Sequence, residues 1–148
     1  METANILQQA MRDTLAAIEF RHQNQLLGDP VLTFGTDADK CKVSAFHYRL
    51  QGKEYYKAAA DDIASSSPAT TTSVQFRKDI VAIDSAGTIT LIQGTAATSQ
   101  ALAELPDIPV TKLGIGYIEV QNSFTNESTD LVAGNFVKLT SSIDVTYT

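Results

Sequence analysis

The side chains of this chain that could do chemistry are few and scattered. Asp61 and Asp62 are its closest carboxylates, but sequence neighbours would point to opposite faces of a strand, no third group stands by to tune either as an acid or a base, and both read as carboxylates of a solvated turn. An acid–base pair of the glycosidase kind would have to be assembled from distant segments. Asp37 and Asp39 have the spacing that opens a calcium loop, without the glycine and the distal glutamate that complete one, and read as solvated turn carboxylates. Cys41 is the single cysteine, which excludes an intrachain disulfide and a cysteine-rich metal site. With no His or Asn partner to mark it as a nucleophile, it reads as a small, partly buried residue beside a turn. His22 and His47 fall on different elements, so His47 reads as an outward-facing or hydrogen-bonded strand residue rather than a metal ligand. Tyr55, Tyr56 and Phe124 are candidate stacking platforms for a sugar ring, with half-buried strand packing as the competing role of the tyrosines. Asn126, Glu127 and Ser128 formally match a glycosylation acceptor, but no secretion signal precedes them. No catalytic residue, cofactor site or metal ligand is assigned, and a non-enzymatic protein is expected.

The composition narrows the partners. With 148 residues the chain suits one domain, and should bury roughly 68–70% of its unfolded surface without staples. Seventeen acidic residues against eleven basic ones leave a formal charge of -6. That argues against nucleic acid, whose phosphates are held chiefly by Lys and Arg. Met1 is followed by Glu2 and a helical pattern, without the cationic start and long apolar core of a signal peptide. No run approaches the roughly 18–20 apolar residues of a membrane span. No membrane partner is expected, and synthesis in a cytosol is.

Two segments follow from the patterning, a helical one over 1–30 and a β domain over 31–148. Over 3–27, Leu7, Met11, Leu15 and Ile18 share one helical side, with Ile6 and Ala10 widening the stripe and Glu2, Gln9, Asp13 and Glu19 elsewhere. Gly28, Asp29 and Pro30 are expected to end this amphipathic helix as a left-handed cap and a breaker. A helix of this length is marginal alone in water, so its stripe needs a cover, either its own sheet or another chain. The stripe runs about three heptads, and its flanking charge pairing is poor for a coiled coil.

In the β domain, 35–39 reads as a turn and 64–73 as a polar loop. Residues 42–50 alternate, with Phe46, Tyr48 and Leu50 on one face, and 54–59 can return across a Gln51–Gly52 turn as the antiparallel partner. Segments 74–83 and 88–92 flank a second turn, Asp84 to Gly87, with Val81, Ile83, Ile89 and Leu91 on a shared apolar face. The Ala-rich run 95–105 is expected to form a short helix, capped by Thr98 or Ser99 and burying Leu102 and Leu105 on one side. Pro106 and Pro109 then enforce a shaped connection to Leu113, because each lacks an amide donor and restricts its predecessor. A strand follows through Ile115, Tyr117, Ile118 and Val120. Residues 121–135 read as a long surface excursion, and 136–139 and 143–147 as short closing strands. The pattern as a whole predicts a mainly β protein, a single β-sandwich or β-barrel domain with an N-terminal amphipathic helix and one short internal helix.

The order of these parts carries a resemblance. A tyrosine-rich hairpin (Tyr48, Arg49, Leu50, Gln51, Gly52, Lys53, Glu54, Tyr55, Tyr56, Lys57, Ala58) comes first, then 84–90 with Gly94. After these come Ala101, Leu102, Ala103, Glu104, Leu105, Pro106, Asp107, Ile108, Pro109, Lys112, Ile115, Gly116, Tyr117 and Val120. This resembles a group of small virion structural proteins of tailed bacteriophages, whose phrase is close to "ALPxxPxxKxxIGYVxV". It spans about two thirds of the chain, from Phe46 to the C-terminus. The resemblance implies a capsid decoration (cement) or head-fibre protein that binds the major capsid protein on the virion surface, with no cofactor. The alternative is a tail or fibre module that binds a host-surface glycan or another tail protein. Decoration suits the physics. Many equivalent capsid sites reward a modest multivalent contact, and an acidic surface keeps unassembled subunits apart. Contacts with capsid or with further copies of the chain are expected at Ile6, Leu7, Met11, Leu15 and Ile18, or at Leu105, Pro106, Ile108 and Pro109. Ordinary core packing is the competing role for both groups. A trimer fits both the helix and the three-fold positions of a capsid lattice.

Overall fold

The computed structural model describes residues 2–34, 40–64, 75–121, 136–138 and 147–148 of the protein. The chain begins with helix α1 (Glu2–Gln23) and continues through ten short strands. These are β1 (Gln25–Leu26), β2 (Leu32–Phe34), β3 (Lys40–Val43), β4 (Phe46–Leu50), β5 (Lys53–Lys57), β6 (Ala60–Ala64), β7 (Phe76–Asp84), β8 (Ile89–Ile92), β9 (Lys112–Gln121) and β10 (Phe136–Lys138). They pair as three small antiparallel sheets in the orders β1-β4-β5, β2-β3-β6 and β10-β9-β7-β8. The protein is therefore mainly β with one long N-terminal helix, as the patterning predicts. The described strands do not close into a barrel.

All three sheets contribute to one core. Cys41 and Val43 of β3, Phe46, Tyr48 and Leu50 of β4, and Ile63 of β6 meet Val81 and Ile83 of β7 and Leu113, Ile115, Ile118 and Val120 of β9. The central pair is β7 with β9, and its geometry turns on a bulge. Ile115 and Ile118 are three residues apart, so a regular strand would send them to opposite faces. Val81 pairs with Gly116 and Ala82 with Gly114, which leaves Ile115 as the extra residue. The inserted residue resets the alternation, so that Ile115, Ile118 and Val120 all face the same core. The opposite face of β7 and β9 is also covered. Ile80, Ala82 and Ile108 are buried there, with Ile92, Leu105, Tyr117 and Tyr147 packed against them. The proline-bounded connection thus forms the back wall of the large sheet.

Both expected hairpins are present. Phe46 pairs with Lys57 and Leu50 with Lys53 across the Gln51–Gly52 turn, both of whose residues have positive φ. In the second, Val81 faces Leu91 and Ile83 faces Ile89, as expected. The Asp84 carboxylate accepts from the amides of Ala86 and Thr88, which organises the turn. Gly87 takes its left-handed position, at φ 79°.

Four local expectations need correction. α1 stops at Gln23, several residues before Gly28, and Gly28 is not left-handed. Asn24 caps the helix instead, and Gln25 and Leu26 are taken up by pairing with Arg49 and Tyr48. The expected helix at 95–105 shrinks to one 3-10 turn, Gln100–Leu102, because Ala97 bonds Phe76 in both directions and holds the segment extended along β7. Leu102 is accordingly exposed rather than packed. Asp61 and Asp62 lie within strand β6, where Val43 pairs with Ala60 and Cys41 with Ile63. Cys41 is fully buried, not partly so. The expected turn at 35–39, the loop after Ala64 up to 73, Phe124, the 126–128 tripeptide, most of the 121–135 excursion and most of the second closing strand lie outside the described residues. Of the latter, Tyr147 forms a parallel bridge with Ile108.

Candidate functional site

No cluster with catalytic geometry appears among the described residues, and no group of three His, Cys, Asp or Glu there could hold a metal. Among the described residues, the hydroxyls of Tyr48 and Tyr147 are displaced in acidity, both raised. For Tyr48 the causes are burial, then the charges of Asp84 and Tyr55; for Tyr147 it is burial, offset by the Gly114 amide. Both are structural: Tyr48 donates to the Asp84 carbonyl at 2.7 Å, and the Tyr147 oxygen accepts from Gly114 at 3.3 Å. An open groove of about 360 Å³ beside Val31, Thr33, Lys42, Ser44, Ala60 and Asp61 brings one cation, one carboxylate and two hydroxyls together, of which the Ser44 hydroxyl accepts from the Val31 amide at 2.9 Å. No described helix is long and apolar enough to cross a membrane.

What stands out is α1. Leu7, Met11, Leu15 and Ile18 are each between 56% and 68% exposed, as is Ile6. Their own sheets do not cover them. A helix turns about 100° per residue, so Leu7, Met11, Leu15 and Ile18 fall within about 80° of one another, while Phe20, nine residues after Met11, lies about 180° away. Phe20 is the side chain that meets the body, with its ring 5.0 Å from that of Tyr147. The apolar stripe therefore points away from the domain that carries it. Ile6 lies about 140° from Met11, nearer the Phe20 side, and does not widen the stripe as expected.

The joint between helix and body is built from hydrogen bonds. Asn24 donates from both its backbone amide and Nδ2 to the Phe20 carbonyl, and its Oδ1 accepts from the Gln51 amide. Gly52 N donates to the Gln23 carbonyl, and Arg49 Nη1 to that of His22. These donors satisfy carbonyls that the end of a helix leaves open. They also lock α1 to the tip of the β4–β5 hairpin, so the helix projects in a fixed direction. Nothing in the spacing of Asn24 or Arg49 announced this; Asn24 itself, a residue type that ends helices, is the one local signal that could have placed the helix end. Asn24→Ala is expected to lower stability by about 1 kcal/mol, since one side chain serves two bonds, one of them partly buried. Urea denaturation followed by far-ultraviolet circular dichroism checks this.

The second expected contact group is divided by the structure. Ile108 is fully buried in the core behind β7, and Leu105 and Pro106 are half-buried. Pro109 and Val110 are exposed. Ile108 therefore presents no surface to a partner, and its packing role is the one seen. Of the tyrosines, Tyr55 stacks on the buried Tyr48, with ring centroids 5.2 Å apart. Tyr56 is 60% exposed, beside the His47 ring at 4.8 Å. Comparison of the chain with protein-family models, with curated proteins and with solved structures finds no match.

Proposed function

We propose that this is a non-enzymatic structural protein of a tailed-phage virion, which decorates the assembled capsid as a cement or head-fibre protein and is made in the host cytoplasm. The observation that carries the reading is the projecting helix α1, whose stripe of large apolar side chains is left uncovered by its own chain. Such a stripe belongs against another protein. The resemblance of the 46–148 segment to small virion proteins supplies the assembly: copies of this chain grouped through the stripe as a homo-oligomer, a trimer in the simplest case, and seated together on the major capsid protein. On this reading the three sheets pack as one sandwich-like body facing outward. The charge of -6 suits a subunit that stays soluble before assembly and makes no contact with nucleic acid or membrane.

The test is sedimentation of undecorated phage capsids with the purified protein. Saturable binding is expected, at a copy number matching a symmetry site of the lattice. Binding that never saturates, or none at all, would remove the decoration reading. A tail or fibre module that binds a host glycan is the second reading, and it draws on the exposed Tyr56 with the His47 ring beside it. In that case Tyr56→Ala abolishes retention on host-surface glycan and the capsid assay is negative.

A further inference from the structure

The oligomeric part of the proposed function can be taken further without relying on the capsid. We infer that the uncovered face of α1 is a self-association surface, on which copies of this chain pack side by side and parallel.

Three observations select a further copy, and this orientation. First, Phe20 seats each body on the side of α1 opposite Leu7, Met11, Leu15 and Ile18. A parallel bundle closed on the stripe therefore places every body outside the bundle and at the same end. The hydrogen-bonded joint at Asn24 holds them there. Second, with the stripes in register, the Glu19 and Arg21 charges beside them complement one another in that arrangement. Glu19 lies about 80° to one side of Met11 and Arg21 about 80° to the other. Parallel helices bring the left flank of one against the right flank of the next, so Glu19 of one copy meets Arg21 of its neighbour at nearly the same height. Antiparallel helices bring like flanks together, and set Glu19 near Gln8 and Arg21 near Thr3 instead. Neither Glu19 nor Arg21 has an ion-pair partner among the described residues of its own chain. Third, the stripe is large enough. Four large side chains, each more than half exposed, with the small residues between them, sum on two copies to about 1,000 Å², the floor for a specific interface. A membrane is a poor alternative cover, since a surface-lying helix needs a basic polar face, and α1 has Glu2, Asp13 and Glu19 against Arg12 and Arg21.

The experiment measures the mass of the full chain in solution by light scattering and sedimentation, with near-ultraviolet circular dichroism as the check that the tyrosine-rich body is folded. The wild-type chain is expected to be oligomeric at about 100 μM or below. The double variant Leu7→Glu/Leu15→Glu is expected to be a folded monomer, while Ile6→Glu, off the stripe, keeps the oligomer. Ala4→Cys, on the stripe line, should form disulfide-linked copies on oxidation, with the buried Cys41 silent. Glu19→Arg should weaken association about threefold to tenfold, and Glu19→Arg/Arg21→Glu should restore it. If the double Glu variant fails to fold, this charge swap decides. A monomeric wild type overturns the oligomeric reading and this inference together. An oligomer that survives Leu7→Glu/Leu15→Glu, does not crosslink through Ala4→Cys, or ignores the charge swap overturns this inference alone.

Discussion

Asp79→Ala is expected to destabilise the protein by about 3–5 kcal/mol, the usual cost of stripping one partner from a buried ion pair. For a domain of this size that corresponds to a fall of about 10–15 °C in melting temperature. Asp79 is fully buried in the middle of the large sheet, and its two carboxylate oxygens receive Arg77 Nε at 2.8 Å and Nη2 at 2.9 Å. The same Oδ1 accepts from the Gly94 amide at 2.9 Å. Gln93, with its amide oxygen turned to the guanidinium, accepts from Arg77 Nη1 at 2.9 Å and Nη2 at 3.1 Å. Alanine at 79 would take the Asp79 carboxylate from a nearly buried guanidinium and the acceptor from the Gly94 amide. Replacing both charges, as Arg77→Met/Asp79→Leu, should cost markedly less than Asp79→Ala alone, because no uncompensated charge stays behind. Thermal and urea denaturation of the three proteins measures the difference. A loss below about 1 kcal/mol in Asp79→Ala would show that water reaches Arg77.

Gly94→Ala is the second large effect, about 3 kcal/mol from one methyl group. A Cβ at Gly94 would stand 2.2 Å from the Lys78 carbonyl oxygen and 3.3 Å from its carbon. Both are backbone atoms of β7, the strand that pairs with β8 on one side and β9 on the other, so neither can step aside as a side-chain tip would. The chain at 94 must withdraw, which also pulls its amide from Asp79. This places the cost at the upper end of overpacking penalties. Gly28→Ala is the control. Its Cβ would meet nothing closer than 3.9 Å, and its backbone is not left-handed. Stability there should be unchanged, or raised by up to about 1 kcal/mol through a stiffer unfolded chain. Equal effects at both glycines would mean that the segment after β8 is not held against β7. The two large effects share the Asp79–Gly94 bond and should not add.

Much of the architecture could be read from local pattern. The β4–β5 hairpin follows from the alternation of Phe46, Tyr48 and Leu50 and a Gln-Gly turn, and β7–β8 from the matched faces about Asp84 and Gly87. The Arg77–Asp79 pair is two opposite charges two apart on one otherwise apolar face of a strand, but exposed strand charges look the same in one dimension. Strand β6 is hidden because Asp61 and Asp62 suggest solvent, whereas the pairing of Ala60 with Val43 and of Ile63 with Cys41 holds them in a strand. The internal helix was overestimated because propensity at Ala96, Ala97, Ala101 and Ala103 yields to the bridge between Ala97 and Phe76.

The sequence by itself determined the inventory: a long amphipathic helix, two hairpins, a proline-shaped connection, a strand through Ile115 to Val120 (which the structure begins earlier, at Lys112), and an acidic charge balance. Each is written in the spacing of near neighbours, over a turn of helix or a few strand positions. Tertiary structure alone decided three things. The bulge at Ile115 turns Ile118 and Val120 to the core that Leu113 faces, since the parity of a strand is reset only where a partner strand counts one residue fewer. Ile108 goes inside and Pro109 outside, since the bridge from Ile108 to Tyr147 fixes which of two neighbours in an extended segment faces β7. And α1 turns Phe20 inward and its apolar stripe outward, because Tyr147, at the far end of the chain, is the surface that meets it. Contacts between residues so distant in sequence leave no local period, and it is one of them that leaves the stripe of α1 free for a partner.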